Sequence, residues 1–368
     1  MKVKVLQSNL LKAINQVSRV VGARTTLPVL SNVLITASKG KIELSATDLE
    51  IGIVTSTIGK IEAEGEVTLP AKLLVDFIAN NKDESIDLSV EGVKAVLSSS
   101  HYQADIVGIS ADEFPKIPLI SSKEEIELPC DRLLASLKKV AIAPANDETR
   151  PVLAGVYFQF AGKELTLAAT DSFRLSECNL ALGKEVEEKK IIIPARTINE
   201  VIRLASSNDA KSVLITLTDN QVAIKIGETQ IVSRLIEGVF PNYKQIIPTE
   251  SKVKIVADYG ELLSGIKMSS LFAKDNANNN IKIKTGTGEM VISSALMQTG
   301  KAKSQIPAEI EGGEIEVSFN ARYILDVLQV INAKKVLILL NDSTSAGVIK
   351  TEDDPGFIYI IMPLKLDV

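Results

Sequence analysis

The chain has 368 residues, 45% of them hydrophobic and 24% charged, a balance that excludes intrinsic disorder, a collagen-like fibre and a disulfide-stabilised miniprotein. Its formal net charge of −5 argues against a surface coated with basic residues for gripping nucleic acid non-specifically. The length exceeds that of one hydrophobic core and predicts roughly two or three domains.

In chain order, the first third alternates between helical and extended periodicity. Leu10 and Ile14 follow helical spacing after Ser8, a candidate N-cap, so the pattern predicts a helix over 8–21. Period-2 alternation predicts strands at 41–45, 85–90 and 93–97. The helical pattern recurs along the chain and predicts helices over 8–21, 70–81, 130–142, 194–206, 258–273 and 319–332.

Three tracts of the chain resemble one another. PVLSNV at 28–33 recurs as PVLAGV at 151–156, and TDL at 47–49 recurs as TDS at 170–172, both 123 residues later. Two motifs with the same offset indicate an internal repeat rather than chance. With the polar connecting stretches, the repeat predicts three similar domains at 1–122, 127–249 and 252–368.

Basic residues recur seven positions apart on the polar faces of three predicted helices. The pairs are Lys12 with Arg19, Arg132 with Lys139, and Arg196 with Arg203. Together the six predicted helices carry a formal charge of +4 in a chain of −5, which predicts a mildly basic helical surface on an acidic body. A solvated charged face remains the alternative for any single helix.

The sequence contains no pattern that specifies a reaction. His101 is the single histidine, in a stretch at 100–103 that predicts a strand, and one imidazole does not support a catalytic triad or a usual zinc site. Cys130 and Cys178 are predicted to be reduced, buried thiols. The glycine-rich tract at 285–288 lacks a phosphate-binding continuation and predicts a hairpin turn. We expect a non-catalytic protein with no metal and no cofactor.

Neither a signal peptide nor a membrane span is predicted. Charged and polar residues interrupt every apolar run near Met1, and no later stretch approaches the roughly 20 apolar residues of a membrane helix. These observations predict a cytoplasmic protein without a membrane partner.

Several tracts resemble the bacterial DNA polymerase III beta subunit family of sliding clamps, and the similarity runs from Met1 to Leu366. They are RTTLPVL at 24–30, ATDLE at 46–50, ATDSFRL at 169–175, FPNY at 240–243, FNARYILDVL at 319–328 and YIIMPLKL at 359–366. The resemblance implies an α+β fold of three similar domains, each with paired helices backed by antiparallel sheets. It also implies a head-to-tail homodimeric ring that encircles double-stranded DNA, slides freely and makes DNA replication processive.

The resemblance further implies three sets of site residues. The positions matched to DNA contacts are Arg24, Lys72, Arg150 and Arg196, to which the helical faces add Lys12, Arg19, Arg132, Lys139 and Arg203. The positions matched to a peptide-binding groove are Leu153, Thr170, Ser172, Phe173, Arg174, Leu175, Pro241, Ile246, Thr344, Ile360, Met362, Pro363, Leu364 and Leu366. The positions matched to the dimer interface are Ala104, Ile106, Leu271 and Phe272.

The implied groove would bind short linear peptides of the DNA polymerase III alpha subunit, the clamp loader, and other clamp-motif repair proteins and polymerases. Where this chain has Ser172 and Phe173, the family commonly has Gly followed by His or Tyr, so we expect its peptide preference to differ. We also expect a dimer held by apolar burial and strand pairing, with weak salt dependence, because the usual ion pairs are lost.

Two other classes of protein are compatible with the residues taken alone. One is a multidomain β-rich enzyme acting on nucleotides or another small substrate, which would need a convergent polar pocket. The other is a repeat scaffold that binds proteins but not DNA. Retention on circular DNA that is lost when the plasmid is linearised would separate a sliding clamp from both.

Overall fold

The computed structural model describes residues 1–22, 27–118, 120, 125–147, 149–273, 279–296 and 300–364. Within these ranges the chain forms six α-helices, which confirms the six predicted helical segments. Five of the helices lie inside their predicted segments, and α1 overlaps its own, beginning one residue earlier. The helices are α1 (Gln7–Val17), α2 (Ala71–Asn80), α3 (Cys130–Val140), α4 (Ala195–Ser206), α5 (Tyr259–Ser270) and α6 (Ala321–Val330).

The strands carry most of the remaining chain. They are β1 (Lys2–Leu6), β2 (Asn32–Ser38), β3 (Lys41–Thr47), β4 (Ile51–Thr57), β5 (Gly59–Ala63), β6 (Gly65–Pro70), β7 (Ser85–Glu91), β8 (Lys94–Ser98), β9 (Gln103–Val107), β10 (Glu125–Pro129), β11 (Gly155–Thr170), β12 (Arg174–Pro194), β13 (Ser212–Leu217), β14 (Gln221–Ile226), β15 (Thr229–Arg234), β16 (Val253–Asp258), β17 (Asn280–Thr285), β18 (Glu289–Leu296), β19 (Gly300–Glu311), β20 (Glu316–Asn320), β21 (Lys335–Leu340), β22 (Gly347–Lys350) and β23 (Phe357–Ile361).

The chain divides into two compact units. The first contains residues 1–131 and 200–235, and the second contains residues 132–199 and 236–368. The first unit holds a five-stranded sheet of order β5-β1-β7-β8-β9 and an eight-stranded sheet of order β10-β13-β14-β15-β4-β3-β2-β6. The second holds a ten-stranded sheet of order β11-β12-β23-β22-β21-β16-β19-β18-β17-β20. The predicted domain boundaries, which differ from this division, stay a prediction.

In the first unit, α1 packs against α2 and against strands β3 and β4. Leu10, Ile14 and Val17 of α1 are buried, and Ile14 and Val17 have no exposed surface. The predicted cap is wrong, because the helix begins at Gln7 and Ser8 lies inside it. The backbone N–H of Gln7 donates to the carbonyl of Glu84 at 2.9 Å. A main-chain carbonyl from a residue far away in sequence therefore accepts a hydrogen bond at the helix start, where a side-chain cap was expected.

The same hydrogen bond begins the first helix of each repeat. In each case the first helical N–H donates at 2.9 Å to the carbonyl that precedes the strand antiparallel to the one leading into the helix. The three donor and acceptor pairs are Gln7 with Glu84, Cys130 with Lys211, and Tyr259 with Lys334. The internal repeat predicted from the sequence therefore extends to individual main-chain contacts.

In the second unit, β12 pairs with β23, and Arg174 lies opposite Ile361. The next pair along these strands, Leu175 and Ile360, belongs to an apolar cluster, and both residues are almost completely buried. Phe240, in the same cluster, stacks on Tyr157 with a centroid distance of 4.9 Å. It also makes an edge-to-face contact with the ring of Tyr243. Leucine, isoleucine and aromatic side chains thus form the floor on which the candidate site is built.

Most predicted strands are confirmed, since 41–45 lies in β3, 85–90 in β7, and 93–97 largely in β8. The turn at 285–288 is also confirmed, because it joins β17 to β18. The strand predicted at 100–103 is wrong: the N–H of Ser99 donates to the carbonyl of Tyr102 at 2.8 Å and closes a turn. His101 lies on that turn, and its own N–H bonds to Asp83 instead of a neighbouring strand.

Both cysteines are buried, free thiols, as predicted. Burial raises the pKa of the Cys130 thiol and of the Cys178 thiol. Both side chains therefore stay protonated at neutral pH and act as packing residues.

Candidate functional site

The hairpin between β11 and β12 presents a four-residue turn, Thr170 to Phe173, which we call the 170–173 turn. The hydroxyl of Thr170 donates to the carbonyl of Arg174 at 2.6 Å and accepts from the N–H of Ser172. Asp171 Oδ1 accepts from the N–H groups of Phe173 and Arg174 at 2.9 and 3.0 Å. These bonds hold Ser172 in the left-handed region, with φ of 80°, and leave Phe173 57% exposed.

The turn between β3 and β4, in the first unit, has the same hydrogen bonds. The hydroxyl of Thr47 donates to the carbonyl of Ile51 at 2.9 Å, and Asp48 Oδ1 accepts from the N–H groups of Glu50 and Ile51. Leu49 has φ of 79°. The repeated Thr-Asp pair therefore specifies one turn geometry twice, because a hydroxyl and a carboxylate satisfy the main-chain groups of the turn.

Arg174 lies directly after the 170–173 turn and is enclosed by acidic and aromatic groups. Its Nε donates to Asp171 Oδ2 at 3.0 Å, its Nη1 donates to Asp326 Oδ2 at 2.5 Å, and its guanidinium carbon lies 4.3 Å from the ring centre of Tyr323. Burial by itself lowers the pKa of Arg174, but the neighbouring carboxylates of Asp326 and Asp171 raise it above its ordinary value. The guanidinium is therefore a permanent charge held inside the protein.

The last strand places a second exposed apolar side chain beside the turn. The N–H of Met362 donates to the carbonyl of Phe173 at 2.8 Å, and Met362 is 38% exposed. Two residues later, the N–H of Leu364 donates to the carbonyl of Ser318 at 2.8 Å. Phe173 and Met362 are thus main-chain neighbours that both expose apolar side chains, a combination suited to apolar anchors of varied shape.

The structure divides the predicted groove residues by burial. Buried members belong mainly to the floor: Leu153, Leu175 and Ile360 share one apolar cluster, and Thr170 is bonded within the turn. Exposed members are Ser172, Phe173, Pro241, Ile246, Thr344 and Met362, and half-buried members are Arg174, Pro363 and Leu364. Leu366 lies outside the described residues. That these side chains line a peptide groove stays a prediction.

Four basic residues predicted to contact DNA are exposed on helices: Lys12 on α1, Lys72 on α2, Arg132 on α3 and Arg196 on α4. A fifth, Arg150, is exposed outside the helices, and its Nη1 donates to the hydroxyl of Ser172 at 2.9 Å. Arg24 lies outside the described residues.

Three members of the predicted seven-residue spacing behave differently. Arg19 is exposed in the turn after α1, which ends at Val17, so its assignment to the face of that helix is wrong. Lys139 is ion-paired with Asp354 and is 17% exposed. Arg203 donates to Glu200 Oε2 at 2.8 Å and to the carbonyls of Asn15 and Gln16 at 3.2 and 2.8 Å. Engagement within the fold argues against direct phosphate contacts by these last two side chains.

The predicted interface residues lie in two places: on the edge strand of a sheet and directly after a helix. Ala104 and Ile106 lie on β9, which is the last strand of its five-stranded sheet. Leu271 follows α5 directly and is 56% exposed, while Phe272 is half-buried. A sheet edge and an exposed leucine are both suited to subunit contact, and the interface stays a prediction.

Sequence reasoning missed Asp326 and Tyr323 as partners of Arg174. Both belong to the tract at 319–328 that carries the family resemblance, but their pairing depends on how the third repeat packs. Among the described residues, no group of three or more His, Cys, Asp or Glu is placed to hold a metal ion. Nor does any helix in that part of the chain combine the length and apolarity needed to cross a membrane.

Comparison with known proteins gives matches along the whole chain. Three family models match in succession: the N-terminal domain of the DNA polymerase III beta subunit at residues 1–118, its central domain at 127–242 and its C-terminal domain at 244–365. The beta sliding clamp of Synechococcus elongatus is 32% identical over 374 residues, covering 100% of both chains.

Solved structures give the same result. The DNA polymerase sliding clamp of Bacillus subtilis superposes with a TM-score of 0.94 at 28% identity, covering 99% of both chains. A Pseudomonas aeruginosa DNA polymerase III subunit beta bound to griselimycin gives a TM-score of 0.94 at 28% identity, covering 100% of both chains.

Proposed function

This chain belongs to the DNA polymerase III beta subunit family, the beta sliding clamps, and we propose that two copies of it close into a ring around duplex DNA and tether the replicative polymerase there. The family is a non-catalytic processivity factor, and it implies DNA and polymerase partners. The observation that carries the proposal is the succession of three family matches over 1–118, 127–242 and 244–365.

The distribution of charge supports encirclement without tight binding. Helix α3 carries a formal charge of +2, α1 and α4 each carry +1, and the other three helices are neutral, so the helices total +4 in a chain of −5. A protein that slides must not hold phosphates tightly or read base edges. Helices with a mild positive charge in a chain that is acidic overall suit that requirement.

The surface beside the 170–173 turn supports docking of short peptides. Phe173 and Met362 expose apolar groups next to each other, and the buried floor below them includes Leu175 and Ile360. We assign to this surface the linear peptides of the DNA polymerase III alpha subunit, the clamp loader, and clamp-motif repair proteins and polymerases. An apolar surface with few polar groups favours apolar anchors from varied partners.

The proposed ring requires a homodimer, with the edge strand β9 of one protomer and the Leu271 region of its partner in contact. Ala104 and Ile106 lie on that strand. Exposed Val107 on the same strand and exposed Leu271 supply apolar surface of the kind expected at a subunit contact. A role on replicating bacterial DNA would place the protein in the cytoplasm.

The test uses the full chain, a compatible clamp loader, ATP and a circular plasmid. After loading, gel filtration in high salt is expected to recover the protein with nicked circular plasmid, because a closed ring leaves DNA only by opening or reaching an end. Cutting the same plasmid once should release it. Equal retention on circular and linear plasmid would indicate ordinary binding, and retention on neither would favour a protein scaffold.

A further inference from the structure

Arg174 was predicted as a groove residue, but its side chain is only 10% exposed. Its Nε and Nη1 both donate to carboxylates, and the ring of Tyr323 covers the guanidinium. With these contacts made, the side chain offers an incoming peptide little surface. Its contacts make Arg174 a bridge between two parts of the protein.

The bridge joins the 170–173 turn to helix α6. Asp171 belongs to the turn, while Asp326 and Tyr323 lie three residues apart on α6 and so share one of its faces. The part of the bridge that lies on α6 is held in place by a further bond, because the hydroxyl of the fully buried Tyr359 donates to the carbonyl of Tyr323 at 2.9 Å. Burial raises the pKa of Tyr359, which keeps this hydroxyl protonated and able to donate.

Formation of the turn does not need this bridge. The turn at 47–50 has the same hydrogen bonds and the same left-handed third residue, yet Ile51 stands where the second copy has Arg174. The charge-assisted contact between Arg174 and Asp326 therefore serves a purpose other than shaping the turn. What it adds is a fixed position of the turn against α6.

We propose that Asp326 is a positioning residue for partner docking: by holding Arg174 against α6, it sets where the 170–173 turn presents Phe173 beside Met362. The inference rests on the peptide docking proposed above. A bidentate or charge-assisted bond fixes geometry as well as adding energy, and a preset surface binds a flexible peptide with less ordering cost. The expected signature is weaker peptide binding together with a more mobile turn.

The first measurement is peptide affinity, using a fluorescently labelled peptide from the clamp-binding segment of the polymerase III alpha subunit. Asp326→Asn keeps the shape of the side chain and removes its charge, and we expect binding about fivefold weaker or more. Asp353→Asn removes the same charge from an exposed turn of the same unit and should bind as the unaltered chain does. Asp326→Glu, which restores the carboxylate, should recover part of the affinity.

The second measurement reports the position of the turn directly. Because the chain contains no tryptophan, Phe173→Trp introduces a single fluorescent reporter into the turn. Adding Asp326→Asn to this background should lower the anisotropy of the reporter, whereas adding Asp353→Asn should not. If Asp326→Asn does not fold, Asp326→Glu moves the carboxylate by one methylene group and should give an intermediate anisotropy.

The outcomes separate the two claims. An unaltered chain that binds no peptide would overturn the proposed docking. Peptide binding by the unaltered chain, with the same affinity and anisotropy in the Asp326 variants, would overturn the positioning role alone.

Discussion

Ser172 repeats the left-handed backbone of Leu49: φ is 80° at Ser172 and 79° at Leu49, 123 residues earlier. Neither is a glycine, so each copy of the turn holds an L-residue in a conformation that such residues rarely adopt. The two Thr-Asp pairs that precede them supply the hydrogen bonds that stabilise this backbone. The strain at Ser172 lies directly beside Phe173, the exposed aromatic residue of the candidate site.

Replacing Ser172 by glycine is expected to stabilise the protein relative to alanine at the same position. Both variants lose the hydroxyl that accepts from Arg150, but only glycine adopts the positive φ without strain. The free energy of unfolding of Ser172→Gly should therefore exceed that of Ser172→Ala by about 1 kcal/mol. Thermal unfolding of the two variants measures the difference. A Tm for Ser172→Gly at or below that of Ser172→Ala would contradict the role of backbone strain.

Removing Lys72 is expected to weaken DNA binding in a salt-dependent way. Lys72 is exposed on α2, and if it contacts one phosphate, Lys72→Ala should reduce the slope of log affinity against log salt by about 0.9. Titration of a labelled duplex at several salt concentrations gives the slope. The control is Lys94→Ala, which removes an exposed lysine of β8. An equal reduction of the salt slope in both variants would argue against a specific contact of Lys72.

Arg203→Ala should instead destabilise the fold and leave the salt slope unchanged. The guanidinium donates to Glu200 and to the carbonyls of Asn15 and Gln16, and its side chain is 21% exposed. Loss of these bonds is expected to cost about 1 to 3 kcal/mol. Thermal unfolding measures the cost, and the DNA titration described for Lys72 provides the second readout. An unchanged Tm with a reduced salt slope would place Arg203 on the DNA after all.

The dimer is expected to depend on apolar burial at Leu271 and only slightly on salt. Leu271→Ala should raise the dissociation constant of the dimer roughly tenfold, because truncation removes most of an apolar side chain from the contact. Analytical ultracentrifugation at low and high salt gives both quantities. Leu49→Ala is the control, since Leu49 is similarly exposed but lies outside the predicted interface. A dimer that dissociates readily in high salt would refute apolar burial as its main support.

Asp342 is expected to make stability fall in acid. Hydroxyl and N–H groups of Ser345 and Thr344 donate to its carboxylate and hold its pKa well below the ordinary 3.8. A carboxyl group whose pKa is lower in the folded state stabilises the fold above its ordinary pKa, and this contribution disappears as pH falls toward the folded value.

The difference in Tm between the unaltered chain and Asp342→Asn should therefore be larger at neutral pH than at about pH 2. Thermal scans across this range measure it, with Asp353→Asn as the matched removal of one exposed carboxylate. A difference in Tm that grows on acidification would show that the sign is wrong.

Local patterns in the sequence were sufficient for the elements and the repeat. The apolar spacing of Leu10 and Ile14 predicted α1 because both side chains fall on one face of any helix formed there. The Thr-Asp pairs marked the internal repeat, and in the structure they form matching turns, since the groups that stabilise each turn lie within five residues of one another. Most of the fold class could be inferred in this way.

Errors arose where a contact joins residues far apart in sequence. The start of α1 is satisfied by the carbonyl of Glu84, so no side chain at Ser8 was needed to mark it. The seven-residue spacing placed Lys139 on a basic face, but only the packing of the second unit brings Asp354 to it. A spacing rule identifies charged positions, whereas the partner of each charge depends on the other elements that surround it.

The sequence by itself determined the helices, most strands, the internal repeat and the apolar character of the floor, because these depend on periodicity and on interactions between near neighbours. The tertiary structure alone decided which of the predicted site residues are exposed and which are bonded to other residues of the fold. Arg174 meets Asp326 across 152 positions of the chain, and that bond exists only because β12 pairs with β23, against which α6 packs. Burial and ion pairing are properties of the assembled elements, and they separate the side chains that can meet a partner from those that hold the fold.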